Sequence, residues 1–145
     1  MLRRRSFTLI ELLIVIAVIS ILIGIALPRF RGMQQEGNVA KAKGELRTLQ
    51  TAVESYYIHN NNTYPAALSN LTSATPLIVS SLPEDPFNSG NNYGFDVSSN
   101  GNYFVIYSIG PGGNGSATIS DAGVITETNG SSCIYVSNAG QDSQP

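Results

Sequence analysis

The chain has 145 residues, a formal net charge of −2 and a single cysteine. This length allows one small folded domain beside a membrane segment, and the lone cysteine excludes a disulfide bond within the chain. Every Lys and Arg lies at or before Arg47, whereas seven acidic residues and no Lys or Arg follow from Thr48 onward. Because the C-terminal part is acidic, nucleic acid is not expected as a partner of that part.

The first predicted element is an apolar helix near the N-terminus. Between Phe7 and Leu27 only Thr8, Glu11 and Ser20 are polar, and a hydrocarbon core about 30 Å thick needs about 20 such residues in a helix. Three arginines precede it and favour a cytoplasmic N-terminus. The run exceeds the ~7–15 apolar residues of a signal peptide, and no Ala-x-Ala cleavage site follows it. We therefore expect a transmembrane helix that stays on the mature protein.

Glu11 is the unusual residue of this helix. A carboxylate at the centre of a membrane helix costs about 2.5–3.5 kcal/mol. One interpretation is that its side chain reaches the lipid headgroups, since it lies one turn inside the apolar edge. The other is that it pairs with a cation of a partner at the same depth.

The residues Ser6-Phe7-Thr8-Leu9-Ile10-Glu11-Leu12, with the apolar run that follows, resemble the N-terminal motif of type IV pilins and type II secretion pseudopilins. The resemblance implies that prepilin peptidase cleaves between Ser6 and Phe7 and that the new Phe7 amine is methylated. The family usually has Gly before the cut, so Ser6 is a departure that could slow processing. The resemblance also implies that Glu11 is the assembly glutamate, which neutralises the Phe7 ammonium of a neighbouring subunit in a filament.

Gly24 and Pro28 are predicted to interrupt the helix, because proline lacks a backbone donor and clashes with the preceding turn. The residues alone predict a kink where the helix leaves the bilayer. The family resemblance adds that this weak point can unwind when subunits pack into a filament.

From about Gly37 the helix is predicted to resume with an apolar stripe that packs on the folded domain. The stripe has spacings of three and four residues and consists of Val39, Ala42, Leu46, Leu49, Val53 and Tyr56. We therefore divide the chain into a cleaved cytoplasmic leader (1–6), a transmembrane and assembly helix (7–28), an amphipathic periplasmic helix (29–60) and a periplasmic globular region (61–145).

The globular region is predicted to contain a short helix and an antiparallel sheet. The helix is expected within residues 66–71. Two strands at 93–97 and 103–109 are joined by a turn signal and form a predicted hairpin, whose second strand is apolar on both faces and therefore central. Further short strands are expected at 123–126 and 133–136, with Cys133 as a buried small apolar residue. The predicted fold class is α+β and type IV pilin-like, with the long N-terminal helix packed on a small antiparallel β-sheet.

Two segments of this region resemble the major pseudopilin of type II secretion systems. They are Leu-Pro-Glu-Asp-Pro-Phe at 82–87 and Ile-Tyr-Ser-Ile-Gly-Pro-Gly-Gly at 106–113. The resemblance implies a calcium-binding loop after the second segment. Ca²⁺ takes about 6–8 oxygen ligands, whereas the loop at 111–122 offers one acid, Asp121, and the hydroxyls of Ser116, Thr118 and Ser120. We expect a glycine-rich loop without metal or cofactor, and a calcium site is the alternative.

The expected function is that of a structural subunit rather than an enzyme. His59 and Cys133 show no catalytic pattern, and no phosphate loop is present. The resemblance implies a single-pass inner-membrane protein that polymerises into a helical homo-oligomeric filament and exports folded proteins across the outer membrane. Its implied partners are prepilin peptidase, an assembly platform protein, an ATPase and minor pseudopilins. The alternatives are a surface type IV pilin for adhesion, motility or DNA uptake, and a membrane-anchored binding domain that never polymerises.

Overall fold

A computed structural model describes residues 7–128 and 132–140. The chain divides into two compact units, Met1–Glu36 and Gly37–Pro145. The division lies within the first helix, close to the residue at which the apolar stripe is predicted to begin. The elements are, in chain order, α1 (Leu9–His59), α2 (Asn70–Ser73), β1 (Gly94–Val97), β2 (Phe104–Ser108), β3 (Ser116–Ile119), β4 (Ile125–Thr128) and β5 (Ile134–Ser137).

The N-terminal unit presents an uncovered apolar surface. Every Leu, Ile, Val and Phe side chain from Phe7 to Leu27 is between 48% and 82% exposed, and the segment is long and apolar enough to cross a membrane. The Ser20 hydroxyl donates a hydrogen bond of 2.7 Å to the Ile16 carbonyl, which satisfies this polar group inside its own helix.

The predicted interruption at Gly24 and Pro28 is corrected, because α1 continues through both residues. Pro28 has no N–H and cannot donate to the carbonyl four residues earlier, which belongs to Gly24. The loss of one hydrogen bond weakens a turn, but it does not end a helix whose flanking residues remain helical.

The C-terminal unit buries the predicted stripe of α1. Ala42, Leu46, Leu49 and Val53 are buried together with Ala52, which the stripe did not include. Val39 and Tyr56 pack against the same core. This packing confirms the spacing argument, since residues three and four apart share one face of a helix.

The C-terminus of α1 is formed by asparagines in the left-handed conformation. Asn61 and Asn62 have φ angles of 52° and 55°, and the Asn62 N–H donates to the Tyr57 carbonyl at 3.1 Å. Asparagine tolerates this conformation better than most residues, and such a bond satisfies a carbonyl in the last turn. The helix therefore ends at His59, next to the predicted boundary at residue 60.

The main sheet has the antiparallel order β1–β2–β5, so the predicted hairpin and the predicted central strand are both confirmed. Phe104 and Ile106 of β2 belong to the core that contains α1. Val105 faces the other way and packs with Ala117 and Ile119 of β3. The C-terminal unit is thus layered, with α1 on one face of the sheet and the β3–β4 hairpin on the other.

The strand β3 corrects the prediction of a loop over residues 111–122. It pairs antiparallel with β4, and its buried side chains, Ala117 and Ile119, alternate with the polar Ser116 and Thr118. A strand of four residues with small and polar side chains has a weak apolar pattern, and the glycines before it favour the prediction of a loop. The short helix α2 also begins four residues later than predicted, although Leu68 and Leu71 are buried as inward-facing residues.

Cys133 is buried in the small core between β2 and β3, which confirms the prediction. Burial raises the pKa of its thiol to about 12, and the charges of Glu127 and Asp85 act in the same direction. The side chain is therefore a neutral thiol at physiological pH, and it behaves as a small apolar residue.

Gly94 pairs with Tyr107 across β1 and β2, and the Tyr107 ring lies over the glycine backbone. A side chain at Gly94 would overlap this ring, so Gly94→Ala is expected to destabilise the protein by about 1–3 kcal/mol. Urea unfolding of the full chain in detergent would measure this change. The matched control is Gly44→Ala, because Gly44 lies in α1 with open space around it and alanine favours a helix by about 0.5–1 kcal/mol. Equal stability of the two variants would contradict the packing argument.

Candidate functional site

The first candidate site lies at the first turn of α1, where Thr8 and Glu11 form a capping box. The Glu11 Oε2 atom accepts hydrogen bonds from the Thr8 backbone N–H at 2.9 Å and from the Thr8 hydroxyl at 2.7 Å. In return, the Glu11 N–H donates to Thr8 Oγ1 at 3.3 Å. The first N–H groups of a helix have no partner within the helix, and a Thr-x-x-Glu sequence satisfies two such donors reciprocally. Thr8 therefore begins the helix and holds the Glu11 carboxylate in place.

From the residues alone, Glu11 is predicted to reach the headgroups or to pair with a neighbour, and no role is predicted for Thr8. The available signal was the Thr-x-x-Glu spacing before an apolar run. All three bonds use atoms of Thr8 and Glu11 alone, so they do not require any leader residue. Ser6 and the cleavage position lie outside the described residues, and Phe7 is 82% exposed beside them.

The two oxygens of the Glu11 carboxylate differ in their contacts with the described residues. Within the described residues, Oε1 accepts no hydrogen bond, whereas Oε2 accepts two. The carboxylate is thus oriented by its own chain and still has an oxygen that can accept a donor from another molecule.

A second polar centre lies in the C-terminal unit at Asp85, which is only 2% exposed. Its Oδ1 accepts from the Phe87 N–H at 2.9 Å and from the Ser108 hydroxyl at 2.7 Å. Its Oδ2 accepts from the Ile109 N–H at 3.0 Å. These bonds join the segment before β1 to the end of β2, so Asp85 positions the junction between the strand and the following loop.

Asp85 belongs to a motif of the sequence, Leu-Pro-Glu-Asp-Pro-Phe, that does not by itself predict this role. An aspartate that accepts from the N–H two residues later forms a local turn, and Asp85-Pro86-Phe87 was a signal for that turn. The bonds to Ser108 and Ile109 had no such signal, because they depend on the fold.

The four candidate calcium ligands do not converge. Ser116 and Thr118 lie two residues apart on β3, which places their Cα atoms about 6.6 Å apart, and Ser120 is about 13 Å from Ser116 along the same direction. A calcium ion holds its ligands at about 2.3–2.6 Å. Asp121 Oδ1 already accepts from the Asn100 N–H at 2.8 Å. These side chains therefore do not fit one calcium ion.

The potential metal-binding side chains in the rest of the described residues do not form a cluster either. In the part of the chain that the structure describes, no group of three or more His, Cys, Asp or Glu side chains is placed to hold a metal ion. The Ser120 hydroxyl oxygen accepts from the Val124 N–H at 3.1 Å and closes the β3–β4 turn.

Comparisons with known proteins match both parts of the chain. The family described as the prokaryotic N-terminal methylation motif matches residues 1–27, and the family described as type II secretion system protein G matches residues 29–127. No solved structure gives a significant match.

Among curated relatives, the type II secretion system core protein G of Aeromonas hydrophila is 30% identical over 63% of this chain and 71% of that protein. The core protein G of Pectobacterium carotovorum is 26% identical over 77% of this chain and 78% of that protein. The type IV major pilin protein PilA of Myxococcus xanthus is 47% identical over 55 residues, which are 38% of this chain but only 25% of that pilin. With an N-terminal methylation motif and a protein G domain over most of its length, this chain belongs to the type II secretion system protein G family of pseudopilins.

Proposed function

We propose that this chain is a structural subunit of a type II secretion pseudopilus, and that it has no catalytic role. The observation that carries the proposal is the exposed apolar half of α1, with one oriented carboxylate beside the cleavage motif. Such a surface needs either lipid or other apolar helices around it. The bilayer covers it before assembly, and the helices of neighbouring subunits cover it afterwards.

Processing would convert the inserted subunit into the assembling one. Prepilin peptidase removes residues 1–6 at the cytoplasmic face of the inner membrane, and the new Phe7 amine is methylated. The globular unit lies in the periplasm, in keeping with the three arginines before the helix. The capping box of Thr8 and Glu11 is retained, because it uses no atom of the leader.

Glu11 would then select the position of each added subunit. Its open Oε1 accepts the Phe7 ammonium of a neighbour, while Thr8 keeps the carboxylate oriented. An unpaired carboxylate at the centre of an apolar layer costs about 2.5–3.5 kcal/mol, so a register without this pairing is disfavoured. The apolar surface supplies cohesion, and Glu11 supplies the specific register.

The turn at Gly24 and Pro28 would allow α1 to adapt in the filament. The Gly24 carbonyl lacks its helical donor, because Pro28 has no N–H. This turn therefore costs less to unwind than its neighbours when helices crowd together, and an unwound turn lets the filament extend.

Charge supports a second copy of this chain as the principal partner. Lys41 pairs with Glu45 at 3.8 Å. Among the described residues, no ion pair is made by the other Lys and Arg side chains of α1, which are Arg29, Arg31, Lys43 and Arg47. The globular surface beyond α1 carries only acidic charges. The basic part of one helix can thus bind the acidic surface of the next subunit. The force for assembly comes from a platform protein and an ATPase, and minor pseudopilins are further partners.

The proposal predicts a specific secretion defect. Deletion of the gene is expected to remove a set of folded enzymes from the culture medium and to increase their amounts in the periplasm. Quantitative proteomics of both fractions measures this change, with the restored gene as the control. Unchanged secretion would contradict the pseudopilus function.

A surface pilus is the second candidate, because 55 residues of the chain match the major pilin of Myxococcus xanthus. In that case deletion removes surface fibres, adhesion, twitching motility or DNA uptake, while the medium proteome stays the same. If residues 1–6 are retained in the intact mass and no fibre forms, the chain is a membrane-anchored domain that does not polymerise.

A further inference from the structure

The β3–β4 hairpin is attached to the rest of the globular unit through polar contacts between two turns. Asn100 lies in the turn between β1 and β2, and Asp121 lies in the turn between β3 and β4. The Asn100 N–H donates to Asp121 Oδ1 at 2.8 Å, and the Asn100 side-chain amide donates to the Asp121 carbonyl at 3.0 Å. Two parallel hydrogen bonds, one of them to a carboxylate, thus join turns that are 21 residues apart in the chain.

The side chain of Asn100 is oriented by hydrogen bonds within its own turn. Its Oδ1 accepts from the Ser98 hydroxyl at 2.7 Å and from the Asn102 N–H at 3.0 Å. These bonds orient the amide so that its NH₂ group points to Asp121. A contact between preoriented groups loses less side-chain entropy on forming than one between mobile groups.

Asp121 is held in a closed turn. The Ser120 N–H donates to the Val124 carbonyl at 3.0 Å, and the Gly123 N–H donates to the Ser120 carbonyl at 2.9 Å. The backbone position of Asp121 is therefore set by the closed turn of its own hairpin.

A further carboxylate and an apolar contact complete the attachment. Asp96 of β1 accepts from the Ile119 N–H of β3 at 2.9 Å. Beneath it, Ala117 and Ile119 pack against Val105 of the main sheet. Asp96 and Asp121 thus each use one carboxylate oxygen to accept from a protein N–H.

We propose that a clamp of Asn100 and Asp121 holds this hairpin at the place where the pseudopilin resemblance implies calcium, so that this subunit folds independently of calcium. The clamp joins the same strand-to-loop region to the sheet with protein groups alone. The hydroxyls of Ser116, Thr118 and Ser120, in contrast, are spread along a strand and cannot surround one ion.

The test is the melting temperature of the full chain in detergent, followed by near-UV circular dichroism with excess CaCl₂ or excess EDTA. The wild-type melting temperature is expected to be the same in both. Asn100→Ala and Asp121→Ala are each expected to lower it by about 4–8 °C with or without calcium. Asn100→Ala removes the bond to the Asp121 carbonyl and Asp121→Ala removes the bond from the Asn100 N–H, so the double variant is expected to lose more stability than either single variant.

Two further variants separate a clamp from an ion site. Asp121→Asn keeps an Oδ1 acceptor, so its loss should be smaller than that of Asp121→Ala. Thr118→Val removes a candidate calcium ligand but keeps the branched shape of an exposed strand residue, so its melting temperature should match the wild type. A rise of the wild-type melting temperature with CaCl₂, or wild-type stability of Asn100→Ala and Asp121→Ala, would overturn the proposal.

Discussion

A Glu11→Ala variant is expected to accumulate in the membrane as a processed subunit that forms no filaments. The substitution removes the only carboxylate of the segment from Phe7 to Leu27, so the Phe7 ammonium of a neighbour has no partner in the helix bundle. If pairing recovers the cost of an unpaired charge, about 2.5–3.5 kcal/mol, its loss changes the association constant roughly 100-fold. Electron microscopy of sheared fibres measures assembly, and intact mass shows whether residues 1–6 have been removed.

Two matched variants test which property of Glu11 matters. Glu11→Gln keeps an acceptor for Thr8 but lacks the charge, so it should be processed and should assemble poorly. Glu36→Ala removes an exposed glutamate of the same helix outside the apolar segment, and it should assemble normally. Abundant normal filaments from Glu11→Ala or Glu11→Gln would show that pairing with Phe7 does not direct assembly.

An Asp85→Ala variant is expected to lose about 3–5 kcal/mol of stability, because three donors lose a buried carboxylate partner. The affected donors are the Phe87 and Ile109 N–H groups and the Ser108 hydroxyl. Small proteins are stable by only about 5–15 kcal/mol, so this loss should reduce the amount of folded protein in cells. Urea unfolding of the full chain in detergent gives the free-energy change.

The neighbouring Glu84 supplies the control. It is exposed, and its Oε2 is 3.4 Å from its single donor, the Gly90 N–H, so Glu84→Ala should change stability by less than about 0.5 kcal/mol. Asp85→Asn keeps the shape and one acceptor, and its stability should lie between those of the wild type and Asp85→Ala. If Asp85→Ala unfolds at the same urea concentration as Glu84→Ala, the carboxylate does not hold the strand junction.

Wherever a single segment carried a repeated pattern, the sequence was a good predictor. The apolar run after Phe7 and the stripe from Val39 to Tyr56 each repeat one chemical property at the period of a helix. The turn residues between β1 and β2 predicted the hairpin in the same way, since a tight turn needs particular residues in adjacent positions. Burial of β2 on both faces followed from its apolar residues on both sides.

The predictions failed where a feature depends on a partner distant in the chain or on a weak local pattern. The buried residues of the strand β3 are only Ala117 and Ile119. This segment is a strand because it pairs with β4 and packs on the main sheet. The helix continues through Pro28, because a single missing hydrogen bond is a small term beside the many that remain.

The apolar segment, the N-terminal methylation motif, the amphipathic helix and the central hairpin could be predicted from the sequence alone, because each is a property of neighbouring residues. The bonds of Asp85 to the end of β2 and of Asn100 to Asp121 could not, because they depend on the tertiary structure. A hydrogen bond between residues about 20 positions apart depends on where the intervening chain folds, and no local spacing records that position. The local contact between Thr8 and Glu11 has a sequence signal in the Thr-x-x-Glu spacing, and the structure shows that this contact begins the helix.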